Sequence, residues 1–66
     1  MNYTKFSSAN EACICLETHG FIQTGMGEAG DAPYGSRIYY RRGSDYGQVD
    51  FIPSVGWVAT INFVRI

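Results

Sequence analysis

Ser36-Arg-Ile-Tyr-Tyr-Arg-Arg42, Gln48-Val-Asp-Phe-Ile52 and Trp57-Val-Ala-Thr-Ile-Asn-Phe-Val-Arg65 are three runs rich in β-branched and aromatic residues. Such residues favour strands, and polar and apolar positions alternate along each run. Between them stand Gly43-Ser-Asp-Tyr-Gly47 and Pro53-Ser-Val-Gly56, both built from turn residues. Strands joined by turns this short form an antiparallel meander, because a parallel pair needs a crossover of a dozen residues or more. The alternation then sorts the faces. Ile38 and Tyr40, Val49 and Phe51, and Ile61 and Phe63 are expected to share one covered face. Arg37, Tyr39 and Arg41, then Gln48 and Asp50, then Thr60 and Asn62 are expected on the opposite, wet one.

What covers the first face lies upstream. Ser8-Ala-Asn-Glu11 has the spacing of a capping box, a serine hydroxyl and a glutamate three residues on that satisfy each other's backbone donors. A helix is predicted from Ala9 to His19, with Ala9, Ala12, Cys13 and Leu16 on one stripe and Asn10, Glu11, Glu17 and Thr18 facing away. Gly20 suits the left-handed position that ends a helix, and Phe21 then falls where it can touch Leu16 one turn back. Phe21-Ile-Gln-Thr24 reads as a short first strand, and Gly25 to Gly35 as a long glycine-rich loop. The expected fold is α+β: one N-terminal helix packed on a three- to four-stranded antiparallel sheet, residues 1–66 forming one domain.

Sixty-six residues lie near the lower limit for folding without staples. With 45% apolar and 15% aromatic residues the chain can still bury a real core. Cys13 and Cys15 sit two positions apart on the predicted helix and point away from each other, so both are expected as free thiols, consistent with a reducing compartment. There is neither a charged start followed by an apolar run nor a stretch of membrane-spanning length, and the expected location is the cytoplasm. Net charge is −1 but unevenly spread. Up to Ser36 the charged residues are Lys5, Glu11, Glu17, Glu28 and Asp31, summing to −3; from Arg37 onward Arg37, Arg41, Arg42 and Arg65 stand against Asp45 and Asp50, summing to +2. An acidic side and a basic side suit a polar partner better than bulk binding of nucleic acid.

Catalytic and cofactor chemistries find little to work with. Gly25-Met-Gly-Glu-Ala-Gly30 matches G-x-G-x-x-G, but Asp31-Ala-Pro-Tyr-Gly35 cannot open the helix whose N-terminus would hold a pyrophosphate, so a loop is expected and no cofactor. His19, Cys13 and Cys15 do not converge as zinc ligands must. A Cys15–His19 pair lacks an orienting acid, and the carboxylates are scattered. Arg37, Tyr39 and Arg41 form a surface row of a kind used by single-strand binders, with Asp50 placed to pair with an arginine across the strands.

Leu16-Glu-Thr-His-Gly-Phe21 followed by Gly35-Ser-Arg37 resembles the small HicA-type toxin ribonucleases, in which a helix and a Gly-Phe strand start lead to a Gly-Ser-His strand. Arg37 occupies the place of that family's catalytic histidine, so the resemblance implies the layout rather than the reaction. In size and layout the chain also resembles the small phage-encoded inhibitors of bacterial defence, including anti-CRISPR proteins of type I systems. That resemblance rests on no motif and carries over no residue. It implies a non-catalytic inhibitor that occupies a surface of a larger effector complex in the host cytoplasm. The candidate contact residues are the acidic loop group Glu28, Asp31 and Tyr34 and the wet-face group Arg37, Tyr39, Arg41 and Asp50. Tyrosine and arginine are common interface anchors. The expected partner is a larger protein complex, with no membrane and no small-molecule cofactor; the alternative is nucleic acid bound by the arginine–tyrosine row.

Overall fold

The computed structural model describes residues 3–28 and 30–66. It has one helix, α1 (Ala9–Thr18), followed by β1 (Ile22–Gly27), β2 (Arg37–Arg42), β3 (Asp45–Ile52), β4 (Gly56–Ile61) and β5 (Val64–Arg65). The strands form a single antiparallel sheet in the order β1-β2-β3-β4-β5. The fold class is the α+β arrangement expected, with five strands rather than three or four.

Both ends of α1 are built by local chemistry. Ser8 Oγ accepts from Glu11 N at 3.2 Å, and the Glu11 carboxylate accepts from the backbone N and the hydroxyl of Ser7. The reciprocal half of the box therefore closes on Ser7, one residue earlier than the motif implies. At the other end Gly20 has φ +86°, Phe21 N donates to Leu16 O at 3.1 Å and Gly20 N to Glu17 O at 3.0 Å. This is the paired-bond ending that leaves the Phe21 side chain against the last turn. Arg42 Nη1 donates to the His19 carbonyl at 2.8 Å, placing a cation at the negative end of the helix.

The helix lies on one face of the sheet. Ala12 and Leu16 pack with Phe21, Ile38, Tyr40, Val49 and Ala59, and Phe6, Ala9, Cys13, Trp57, Ile61 and Ile66 close the margins. Gly47 is buried opposite Tyr40, and a Cβ there would lie 2.9 Å from the Phe21 ring. The ring occupies the space that a side chain at this position would need. The buried Tyr40 hydroxyl donates to Glu17 at 2.8 Å, tying the helix to β2. Burial, with Cys13 and Glu17 alongside, raises the Tyr40 pKa and keeps this hydroxyl protonated.

Three expectations about the strands are corrected. β1 does not end at Thr24 but continues through Gly25 and Gly27, with a bulge between Gln23 and Gly25, because β2 supplies it with a full ladder. The β2–β3 turn is only Gly43-Ser44, and Asp45 already belongs to β3. The run from Trp57 to Arg65 is not one strand: Asn62 and Phe63 turn it back, so β5 pairs with the end of β4. Phe63 consequently leaves the covered face and is 80% exposed.

The rest of the β4 edge is met by the N-terminal segment. Phe6 bridges to Trp57, and Thr4 N donates to Ile66 O. The β1 edge has no strand beside it among the described residues. No helix among the described residues is long and apolar enough to cross a membrane.

Candidate functional site

The register arranges the uncovered face in rows across the strands. Ile22, Arg41 and Tyr46 form the first, at the end of the sheet where Phe63 turns; Gly25, Tyr39, Gln48, Thr60 and Arg65 form the second; Gly27, Arg37, Asp50 and Val58 the third. Arg37, Tyr39, Arg41 and Asp50 are thus brought onto one surface, as the alternation predicts. Asn62, expected beside them on a strand, belongs instead to the β4–β5 turn.

A chain of hydrogen bonds runs along β3 on this face. Arg37 Nε donates to Asp50 Oδ1 at 2.8 Å, Gln48 Nε2 to Asp50 Oδ2 at 2.7 Å, and the Tyr46 hydroxyl to Gln48 Oε1 at 2.7 Å. The bond to Asp50 raises the Arg37 pKa further and keeps its guanidinium charged. The Tyr46 pKa is pushed up, first by burial of its hydroxyl and then by Tyr39 and Asp50 nearby. Fixed at its hydroxyl, Tyr46 is the centre of an aromatic diagonal. Its ring centroid lies 6.4 Å from that of Tyr39 and 5.1 Å from that of Phe63, the latter pair stacked at 28°. The Arg41 guanidinium stands 5.6 Å from the Tyr46 centroid. The Tyr39 ring also reaches over the glycines of β1, its hydroxyl 3.5 Å from where a Gly27 Cβ would be.

The turn that presents Phe63 is unusual for its residues. Asn62 and Phe63 have φ of 50° and 66°, the two left-handed positions of a type I′ hairpin turn. Asparagine tolerates this region, and here it is held twice: its N donates to Tyr46 O at 2.7 Å, and its Oδ1 accepts from Tyr46 N at 2.9 Å. Glycine is the usual second residue. A bulky side chain there costs about 1–2 kcal/mol relative to ordinary backbone. The stack on Tyr46 offsets part of that for a ring that remains mostly in solvent.

The acidic loop group lies elsewhere, at the opposite end of the sheet. The β1–β2 loop is closed by Gly35 N donating to Gly27 O at 2.9 Å, and Glu28, Asp31 and Tyr34 are exposed on it. Pro33, Tyr34 and Gly35 wall an open groove of about 310 Å³, with Ser36, Phe51 and Trp57 as the rest of its lining. Phe51 and Trp57 face each other across β3 and β4 with centroids 5.1 Å apart. Asp31, Ala32, Pro33, Phe51 and Pro53 border an adjoining hollow, so a carboxylate stands at the rim of an apolar floor.

The expected contact residues therefore form two surfaces at different places, and they differ in charge. On the uncovered sheet face Arg37, Arg41 and Arg65 stand against Asp50, a balance of +2; all other charged residues, Lys5 and Arg42 against Glu11, Glu17, Glu28, Asp31 and Asp45, sum to −3. Sequence reasoning did not single out Tyr46 and Phe63, nor the Phe51–Trp57 groove. The latter arises only from pairing across the sheet. For Phe63 the available signal was Asn62, a residue that favours left-handed turns, in the middle of an apparent nine-residue strand.

The nucleophile and metal candidates lie on α1 and at its C-terminal end. Cys13 and Cys15 are free and half-buried, and His19 Nδ1 donates to the Cys15 carbonyl at 2.7 Å rather than meeting its thiol. Among the described residues no group of three or more His, Cys, Asp or Glu side chains is placed to hold a metal ion. The G-x-G-x-x-G run divides between β1 and the loop, and turns rather than a helix follow Gly30. The chain matches no family model, no curated protein and no solved structure.

Proposed function

We propose that this domain is a non-catalytic protein-binding inhibitor, acting in the host cytoplasm by occluding a surface of a larger effector complex. The observation that carries the reading is the groove at the loop end. It combines an apolar floor (Phe51, Trp57), a tyrosine and a proline in its wall, and acidic residues in the same loop. Interfaces are built this way, with aromatic anchors in the centre and charge at the rim. The partner that fits is a basic protein surface offering an apolar side chain to the groove and a lysine or arginine to Glu28 and Asp31. Protein surfaces that read nucleic acid are basic. A nucleic-acid-handling effector of bacterial defence, of the type I CRISPR kind suggested by size and layout, has this chemistry. Size is no obstacle: a standard interface takes about 800 Å² per partner, roughly a fifth of the 4240 Å² this chain exposes.

The test is capture of partners from bacterial lysate on the tagged protein, before and after nuclease treatment, beside the Glu28→Lys/Asp31→Lys variant. A stoichiometric protein complex that survives nuclease and is lost on charge reversal is the expected result. Capture that disappears with nuclease, or that the reversed variant retains undiminished, would overturn the reading.

A further inference from the structure

The uncovered sheet face carries chemistry that the groove does not use. Three features coincide there. Arg37, Arg41 and Arg65 collect on it while the rest of the molecule is acidic. Tyr39, Tyr46 and Phe63 cross it as a diagonal of rings with centroids 6.4 and 5.1 Å apart. Phe63, 80% exposed, is held by a backbone conformation that a phenylalanine adopts only under constraint.

We propose that this face binds single-stranded nucleic acid, with bases stacking on Phe63 and phosphates meeting Arg41 and Arg65. The assignment follows from which groups remain free. Arg37 already engages Asp50 through Nε, whereas neither Arg41 nor Arg65 makes an ion pair among the described residues; Arg41 is exposed, and Arg65 is half-buried with its Nε out of reach of solvent. Arg41 lies over the Tyr46 ring and Arg65 over the Tyr3 ring at 4.4 Å, so each cation is presented beside an aromatic surface. A ligand that matches this pattern alternates anionic groups with flat rings. Single strands do so, and their unpaired bases have free faces; in a duplex those faces are already stacked. The inference goes beyond the protein-binding reading and uses a different surface, so charge reversal at Glu28 and Asp31 tests one and changes at Phe63 and Arg41 test the other.

The measurement is fluorescence anisotropy with labelled oligo-dT and oligo-U of about twelve nucleotides, within the span that small single-strand binders cover. Salt is varied between about 50 and 200 mM, with a duplex of equal length and polyglutamate as competitors. Micromolar binding is expected. Two phosphate contacts give a slope of log K against log salt of about −1.4. Phe63→Gly, which suits the turn backbone, should keep the circular dichroism spectrum and weaken binding about tenfold or more through lost stacking. Arg41→Gln should weaken binding and make the salt slope shallower, and it reads the proposal independently of the turn. No binding at about 100 µM protein and 50 mM salt would overturn the proposal and leave the face to a protein partner. Equal competition by duplex or polyglutamate, or undiminished binding by both variants, would overturn it equally.

Discussion

Phe21 and Phe63 stand at the same end of the sheet, one toward each face, and the molecule treats them in opposite ways. Phe21 is 3% exposed, lies in the space left by Gly47, and has the Arg42 guanidinium 4.5 Å from its centroid. Its position is fixed by the helix ending through the bond from Phe21 N to Leu16 O. Phe63 is 80% exposed, stacks on Tyr46 with Arg41 nearby, and sits at φ 66°. Around Phe21 the backbone, glycine, helix cap and cation all agree with the side chain. Around Phe63 the side chain opposes its backbone. Consistency at every level marks a residue that builds the fold, and a local conflict marks one that is there for another reason.

The comparison breaks first at its buried member. Phe21→Ala removes a ring packed against Gly47 and the last helical turn, a change that costs about 3–5 kcal/mol in well-packed cores. A chain of this size has roughly 3–10 kcal/mol in total. The variant is therefore expected to lose most of its cooperative thermal transition, read by circular dichroism. Phe63→Gly should instead leave Tm unchanged or raise it, because relief of the left-handed strain offsets the lost stack and the added chain entropy. A large drop in Tm for Phe63→Gly would show that Phe63 also builds the fold.

Gly47→Ala sharpens the same contrast with a smaller perturbation. The new methyl would come within 2.9 Å of Phe21 Cδ2 and 3.2 Å of Tyr40 Cβ, and neither neighbour is the free end of a flexible chain. Overpacking of this kind costs about 1–3 kcal/mol. Because the methyl meets the Phe21 ring, the destabilisation should shrink when Phe21 is replaced by leucine, a non-additivity that a double-mutant cycle on Tm measures. Additive effects would mean that Phe21 does not depend on the glycine.

These contrasts also explain what could be read in the sequence. The Phe21 side was legible because every signal is local: the serine–glutamate cap, Gly20 after the last turn, and Leu16 and Phe21 at the spacing of the helix ending. Tyr39, Arg41 and Asp50 were legible because alternation places residues on faces without knowledge of the pairing. Phe63 was not, since Ile61-Asn-Phe63 continues the alternation of β4 and only a reversal of the chain at Asn62 moves the ring to the other face. Gly25 and Gly27 read as loop for a related reason. Their place in β1 is set by the ladder with β2 and by the Tyr39 ring beside them, neither of which is local. The Phe51–Trp57 groove required both a cross-strand pair and the fold-back of Pro33 and Tyr34.

The smallest expected effect concerns how the two turns at this end are held together. Asp45, at the start of β3, accepts from Arg42 Nη2 at 2.9 Å across the Gly43-Ser44 turn and from Asn62 Nδ2 at 3.2 Å in the turn that carries Phe63. Arg42 first, and then Asn62, lowers the Asp45 pKa below the ordinary aspartate value. A carboxyl whose folded pKa is depressed binds its proton more readily in the unfolded chain. Its contribution to stability is thus fully present above the ordinary aspartate pKa and is lost as pH falls through the depressed folded value. The group is exposed, so little change in global stability is expected. The local readout is more telling. In an NMR titration the Asn62 side-chain amide should shift with a midpoint below the ordinary aspartate range, and Asp45→Asn should abolish that shift while leaving the Phe21 resonances in place. Movement of the Phe21 resonances through the same midpoint would couple the two phenylalanines through Arg42, which touches the Phe21 ring and Asp45 alike, and the separation drawn between them would then fail.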